Sequence, residues 1–267
     1  AGIEVVEAFF GSELARMLAE RRHADLVLAN NVYAHVPDIV DFTKGLAQLL
    51  SPEGVVSLEF PHLLNLIRDC QFDTIYHEHY SYLSLLSVRQ IFNACGLRVF
   101  DVERLPTHGG SLRVWGCLQG AGHMETEAVH AVLAQERAAS LDRAEGYAPF
   151  QGQANARKNA FLRFLLSAQR DGRSVAGYGA AAKGNTLLNY AGIKPDLLPY
   201  VCDAAPSKQS KLLPGSHIPI RSPEVLEQDP PDYLVIFPWN IADEIERQLA
   251  HLKRHGTQFI TSDIPEA

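Results

Sequence analysis

Residues 25–38 read DLVLANNVYAHVPD, and residues 54–60 read GVVSLEF. The first stretch opens inside a continuous apolar run over residues 24–29, the pattern of a strand buried on both faces of a parallel sheet. It ends abruptly in Asn30 and Asn31. A helical pattern covers about residues 38–50, the turn Ser51-Pro52-Glu53-Gly54 follows, and the second stretch is the next strand. Strand, helix and strand in that order predict a three-layer α/β domain whose ligand crevice lies at the carboxyl ends of the strands. Asn30 and Asn31 then stand at the crevice lip, with His35 within a turn of them; the plainer alternative is that both asparagines merely cap the strand.

The pattern continues on either side. Residues 2–6 (GIEVV) read as a strand, and SELARMLAERR as a helix capped by Ser12. Residues 61–86 are irregular and rich in aromatics. A helix over residues 87–94 ends at Gly96, a suitable C′ residue. The runs LRVFDVERL and SLRVWGCL are strands joined at the turn Thr107-His108-Gly109-Gly110. Residues 125–170 are helical with a break near 146–153. The stretch SVAGYGAAAKGNTLLNY then reads as strand, glycine turn and helix, followed by strands over 198–203 and 233–237 and an amphipathic helix over 241–252. The fold class is α/β, with two doubly wound Rossmann-like domains at residues 1–120 and 121–267.

Composition narrows the function classes. Of 267 residues, 46% are hydrophobic and 21% charged, which fits a globular chain and excludes a disordered or fibrous one. No apolar run is long enough to span a bilayer. A net charge of −7 argues against a nucleic-acid-binding surface but not against a small anionic ligand. Cys70, Cys95, Cys117 and Cys202 form no CxxC pair, so no thiolate zinc site is expected, and a reduced cytoplasmic setting fits them as buried apolar residues. The chain starts at Ala1 without Met or signal peptide and reads as part of a longer protein.

Residues 76–82, YHEHYSY, concentrate two imidazoles, a carboxylate and three phenols. A metal reading is weak, because His77 and His79 share a face only on a strand and no third ligand is suitably spaced. Packed tyrosines with exposed histidines are a second reading. The acid–base reading is stronger, since an imidazole titrates near neutrality; Glu78 would orient it and Tyr76 would donate to a developing oxyanion. In GYGAAAKGNT, a glycine turn between strand and helix offers amide donors to an anion. Asp203 stands about where a ribose-binding acid follows such a turn, which by itself suggests NAD. A purely architectural turn is the alternative.

The runs EFPHLLNLIRDCQFDTIYHEHYSYLSL, THGGSLRVW and GYGAAAKGNTLLNY together resemble the sugar C-methyltransferase family, over essentially the whole chain. The resemblance implies a first domain that is part of a class I S-adenosylmethionine (SAM) methyltransferase domain. It implies SAM as cofactor and a nucleotide-linked 4-keto-deoxysugar as substrate, with neither nucleic acid nor membrane as partner. His79 would be the catalytic base, Tyr76 its supporting tyrosine and Glu78 the carboxylate. Asn30, Asn31, His35 and Phe10 would lie on the cofactor side. His62, His108, Lys183, Asn185 and Asn240 would lie on the substrate side. The resemblance also implies zinc only in an N-terminal domain outside this chain. Ser210 departs from the family's usual glycine. Two rivals stay open: an NAD-dependent oxidoreductase and a non-catalytic nucleotide-sugar-binding module.

Overall fold

The computed structural model describes residues 2–261, which form two compact units. The first holds the chain up to Asp69 together with His77–Ala148; the second holds Cys70–Tyr76 and the chain from Pro149. The sequence boundary near Gly120 thus falls inside the first unit. The reason is α-helical packing beyond it: Val129, Val132 and Leu133 are buried in the first unit's core.

The first unit runs α1 (Ser12–Ala19), β1 (Ala24–Asn30), α2 (Ile39–Leu49), β2 (Leu50–Pro61), α3 (Leu63–Arg68), α4 (Leu85–Ala94), β3 (Leu97–Leu105), β4 (Ser111–Leu118) and α5 (Glu127–Ala138). Its sheet has the order β1-β2-β4-β3. β1 and β2 are parallel, as the βαβ reading requires, whereas β4 pairs antiparallel with both β2 and β3. Val56, Leu58 and Phe60 of β2 meet Phe42 and Leu46 of α2 and Val88 and Phe92 of α4 in one core. β1 is an edge strand and is buried on one face only: Leu26 and Leu28 are 51% and 63% exposed.

Two local expectations are corrected. Residues 2–6 form no strand, because a strand exists only by pairing and no other strand runs beside them among the described residues. Ser12 does not cap α1; Gly11 is the N-cap, and the Ser12 hydroxyl instead donates to Asp41. Asp38 does cap α2, accepting from the Asp41 amide at 2.9 Å, and Ser84 caps α4 in a capping box with Ser87.

The second unit runs α6 (Phe150–Arg170), β5 (Val175–Tyr178), α7 (Ala182–Tyr190), β6 (Val201–Cys202), β7 (Ile220–Arg221), α8 (Val225–Gln228), β8 (Tyr233–Ile236), α9 (Ala242–Gln248) and β9 (Gln258–Thr261). Its five strands are all parallel, in the order β7-β6-β5-β8-β9. Alternate residues serve opposite faces. Val175 and Val235 join Phe161, Leu165 and Leu187 on one side, while Ala176, Leu234 and Ile236 join Leu226, Ile245 and Leu249 on the other. The doubly wound expectation therefore holds fully here. β7 and β9 are strands that sequence reading did not anticipate; both are short and gain their place by pairing with β6 and β8.

Candidate functional site

The carboxyl end of β1 in the first unit collects the imidazoles. Past Asn30 the chain turns at Asn31, in the left-handed region (φ 55°) that asparagine tolerates better than most residues. The Asn31 amide extends the β1–β2 ladder by donating to the Glu59 carbonyl at 2.8 Å. Its side chain meets His108 Nε2 at 3.2 Å, and His108 also has positive φ (56°). Two of the sequence candidates are thus joined, although they lie far apart in the chain.

Residues 33–35 form a short 3₁₀ turn that anchors the aromatic motif. The amides of Tyr80 and Ser81 both donate to the Ala34 carbonyl, at 2.9 and 3.1 Å. His35 Nδ1 lies 2.9 Å from the Glu78 carbonyl oxygen. A carbonyl can only accept, so Nδ1 carries the proton, and a neutral His35 ring keeps its lone pair on Nε2. The His79 ring packs edge-on against that of His35 with centroids 4.8 Å apart, and against Tyr82 at 6.0 Å. His79 is half-buried, while His77 and Glu78 are exposed. Tyr76, three residues before His79, belongs to the segment that folds with the second unit.

Other candidates are placed differently. Phe10 packs on Phe42 (centroids 5.1 Å) beside α2 and supplies no polar group to this end. His62 is 3% exposed, and its Nε2 lies 2.8 Å from Glu136, itself fully buried. Glu136 also accepts from the amides of Leu85 and Leu86 at 2.6 and 2.8 Å, neutralising the positive start of α4. His62 is therefore committed within the core, and the substrate-side role expected for it is withdrawn. Sequence reasoning missed Glu59, 5% exposed, which accepts from Thr107 and Arg113 at 3.0 Å each beneath the His108 turn. Its signal was a carboxylate inside an otherwise apolar strand.

In the second unit Lys183, Asn240 and Trp239 come together. Lys183 Nζ donates to Asn240 Oδ1 at 2.5 Å and lies 4.0 Å from the Trp239 ring centroid. Burial pushes the Lys183 ammonium below its usual range, partly offset by the carboxylate of Asp73. Asp73 is 5% exposed and accepts from Trp239 Nε1 at 2.7 Å; burial nevertheless raises its carboxyl above the ordinary value. Asn185 Oδ1, at the start of α7, is buried without a hydrogen-bond partner. Asp73 and Trp239 were not singled out, although Trp239 stands beside Asn240 in the sequence.

The glycine turn is built for packing. A Cβ at Gly184 would lie 2.7 Å from the Phe237 side chain, and one at Gly179 (φ 93°) would lie 2.4 Å from Pro238. Asp203 does not wait for a ribose. Its Oδ2 accepts from the Ala180 amide (2.8 Å) and Lys208 (3.1 Å), and its Oδ1 from the Ala205 amide (2.9 Å). The carboxylate on which the NAD reading rested is spent on the turn itself. Among the described residues no group of three or more His, Cys, Asp or Glu side chains is arranged to hold a metal, and no helix is long and apolar enough to cross a membrane.

Comparison with known proteins gives a consistent picture. Residues 4–102 match a general methyltransferase domain family, and residues 106–265 match the C-methyltransferase C-terminal domain family. The chain is 38% identical to the C-methyltransferase NovU of Streptomyces niveus over 266 residues, covering 99% of this chain and 63% of that protein. Solved structures share less. The 1,6-didemethyltoxoflavin-N1-methyltransferase of Burkholderia thailandensis is 15% identical over 35% of this chain and 43% of its own, with a TM-score of 0.28. The magnesium protoporphyrin IX methyltransferase of Synechocystis is 17% identical over 37% and 47%, with a TM-score of 0.29. The assignment rests on the sequence relatives and not on these partial likenesses: the chain belongs to the C-methyltransferase family, and its second half is that family's C-terminal domain.

Proposed function

We propose that this chain carries the substrate-side chemistry of a SAM-dependent C-methyltransferase acting on a nucleotide-linked 4-keto-deoxysugar. The observation that carries the reading is the pinning of residues 78–81 to the β1 end, which sets the His79 ring 4.8 Å from that of His35. Family membership supports the reaction class.

The polar, exposed β1 end suits the amino-acid part of SAM, and Asn30, Asn31 and His35 would hold it there. When bound, SAM supplies an electrophilic sulfonium methyl group. The chain's own residues have the task of making carbon nucleophilic. A hydrogen on the carbon beside a ketone is acidic because the resulting carbanion delocalises onto oxygen. His79 takes that proton, as imidazole basicity near neutrality permits. Tyr76 donates to the enolate oxygen, and Glu78 orients the base or binds a sugar hydroxyl. His108, already bonded to Asn31, is a proposed substrate contact, as are Lys183, Asn185 and Asn240.

The test uses the full-length protein with SAM and a panel of nucleotide-linked 4-keto-deoxysugars in deuterated water, read by mass spectrometry. A sugar that gains one methyl group supports the reading and identifies the substrate. Deuterium uptake without methylation retains proton abstraction and moves the fault to the cofactor side. Neither change, for sugars with demonstrated binding, overturns it.

A further inference from the structure

Asp73 is a buried carboxylate that the chemistry above does not use. It lies in the 3₁₀ turn Phe72–Thr74, three residues before Tyr76. A carboxylate withdrawn from water is costly unless it is partnered. The Trp239 indole N–H supplies a partner at 2.7 Å, and Lys183 and Arg157 place positive charge nearby. The turn around Asp73 is fixed as well. The Phe72 ring lies 5.5 Å from that of Tyr190 and joins the apolar core of the second unit. The Gln71 carbonyl accepts from both the amide and the hydroxyl of Thr74, at 3.0 and 2.7 Å.

Trp239 is held with equal care. It follows Phe237 and Pro238, the two residues for which Gly184 and Gly179 leave room. The Trp239 amide donates to the Phe237 carbonyl at 2.8 Å, and Lys183 lies over its ring. A continuous physical path therefore runs from the glycine turn through Phe237, Pro238 and Trp239 to Asp73, and along three residues of chain to Tyr76. A glycine pattern that looks like a nucleotide cradle serves here as the seat of an anchor.

We propose that Trp239 and Asp73 are positioning residues that hold Tyr76 in place for the reaction described above, on which this proposal rests. The anchor is the indole hydrogen bond, and the ring alone does not replace it.

Two substitutions separate the hydrogen bond from the charge. Trp239→Phe keeps an aromatic ring and loses the donor. Asp73→Asn keeps an acceptor and loses the charge. In the full-length protein, with the keto-sugar identified by the panel, Trp239→Phe should lower kcat about 10- to 100-fold, the scale of a small misplacement of a reacting group, with KM for SAM unchanged. Asp73→Asn should stay within about threefold of the parent, because its amide oxygen still accepts from the indole. The double variant Trp239→Phe/Tyr76→Phe should be within about twofold of Tyr76→Phe, since residues acting through one group are not additive. Multiplicative losses, or a fully active Trp239→Phe beside an impaired Tyr76→Phe, overturn the positioning role alone. A fully active Tyr76→Phe removes Tyr76 from the chemistry, and the proposal falls with it. Amide exchange supplies a readout free of activity: residues 70–76 should exchange at least about tenfold faster in Trp239→Phe while β5 stays protected. Unchanged exchange in 70–76 also overturns the anchor.

Discussion

The two units end their parallel strands in opposite ways. At the end of β1 the chain turns outward through Asn31 and leaves polar side chains and imidazoles on an exposed lip. At the ends of β5 and β8 the corresponding space is filled with protein: Phe237 and Pro238 occupy the room above two glycines, and Asp203 takes up a turn amide. The same architectural position is thus an open polar lip in one unit and an internal joint in the other. The carboxyl ends of parallel strands mark where ligands bind in α/β sheets as a rule. What decides a given case is whether the polar groups there are already spent on the chain.

The largest expected effect tests the open end. His79→Ala should lower turnover by about 10²–10⁴-fold, the usual worth of a positioned base. It is measured as methylated sugar formed, and undiminished turnover would remove the chemistry from that end. The filled end is tested by Gly179→Ala, whose new methyl would meet Pro238 at 2.4 Å in a positive-φ backbone. A loss of about 2–4 kcal/mol in denaturant unfolding is expected from strain and overpacking together. A tolerated alanine would mean that this turn has slack enough for a ligand.

A subtler contrast comes from pH. Burial raises the Asp73 carboxyl above its ordinary value. The folded state then holds the proton more tightly than the unfolded state. The stabilisation linked to this group is complete below the unfolded value and is lost as pH rises through the folded one. The unfolding midpoint of the parent relative to Asp73→Asn should therefore fall as pH rises from about 4 towards neutrality. A flat difference would show that Asp73 titrates alike in both states.

The elements that sequence reading located best are those specified locally. The βαβ unit followed from an uninterrupted apolar run, a helical pattern and a turn, and the hairpin of β3 and β4 from two strand-like runs about the turn Thr107-His108-Gly109-Gly110. The YHEHYSY motif stood out by its density of titratable and phenolic groups, and Asn30, Asn31 and His35 by their place at or just beyond a strand end, whereas His108 was marked by the family resemblance alone. Partnerships formed across long stretches of chain were not legible. His62 resembles an active-site histidine until Glu136, 74 residues away, is seen to hold it. Asp73 was overshadowed by the motif beside it, and nothing near it in the sequence indicates burial. Residues 2–6 have strand composition but no strand beside them among the described residues. The glycines of 177–184 were read for the ligand they would admit, whereas their role depends on Phe237 and Pro238, which only the folded sheet brings to them.

The hydrogen bond between Trp239 and Asp73 joins residues 166 positions apart. Closing so long a span costs chain entropy before any contact repays it, so such pairings form late in folding. On the ribosome Asp73 is made 166 positions ahead of its partner indole. The residues leading into the aromatic motif should therefore be among the last to gain protection in pulse-labelled amide exchange during refolding. Early protection of that segment would show that it is secured without Trp239. A nascent chain whose first sheet is already assembled would still lack the bond between Trp239 and Asp73, which makes this anchor one of the last parts of the fold to form.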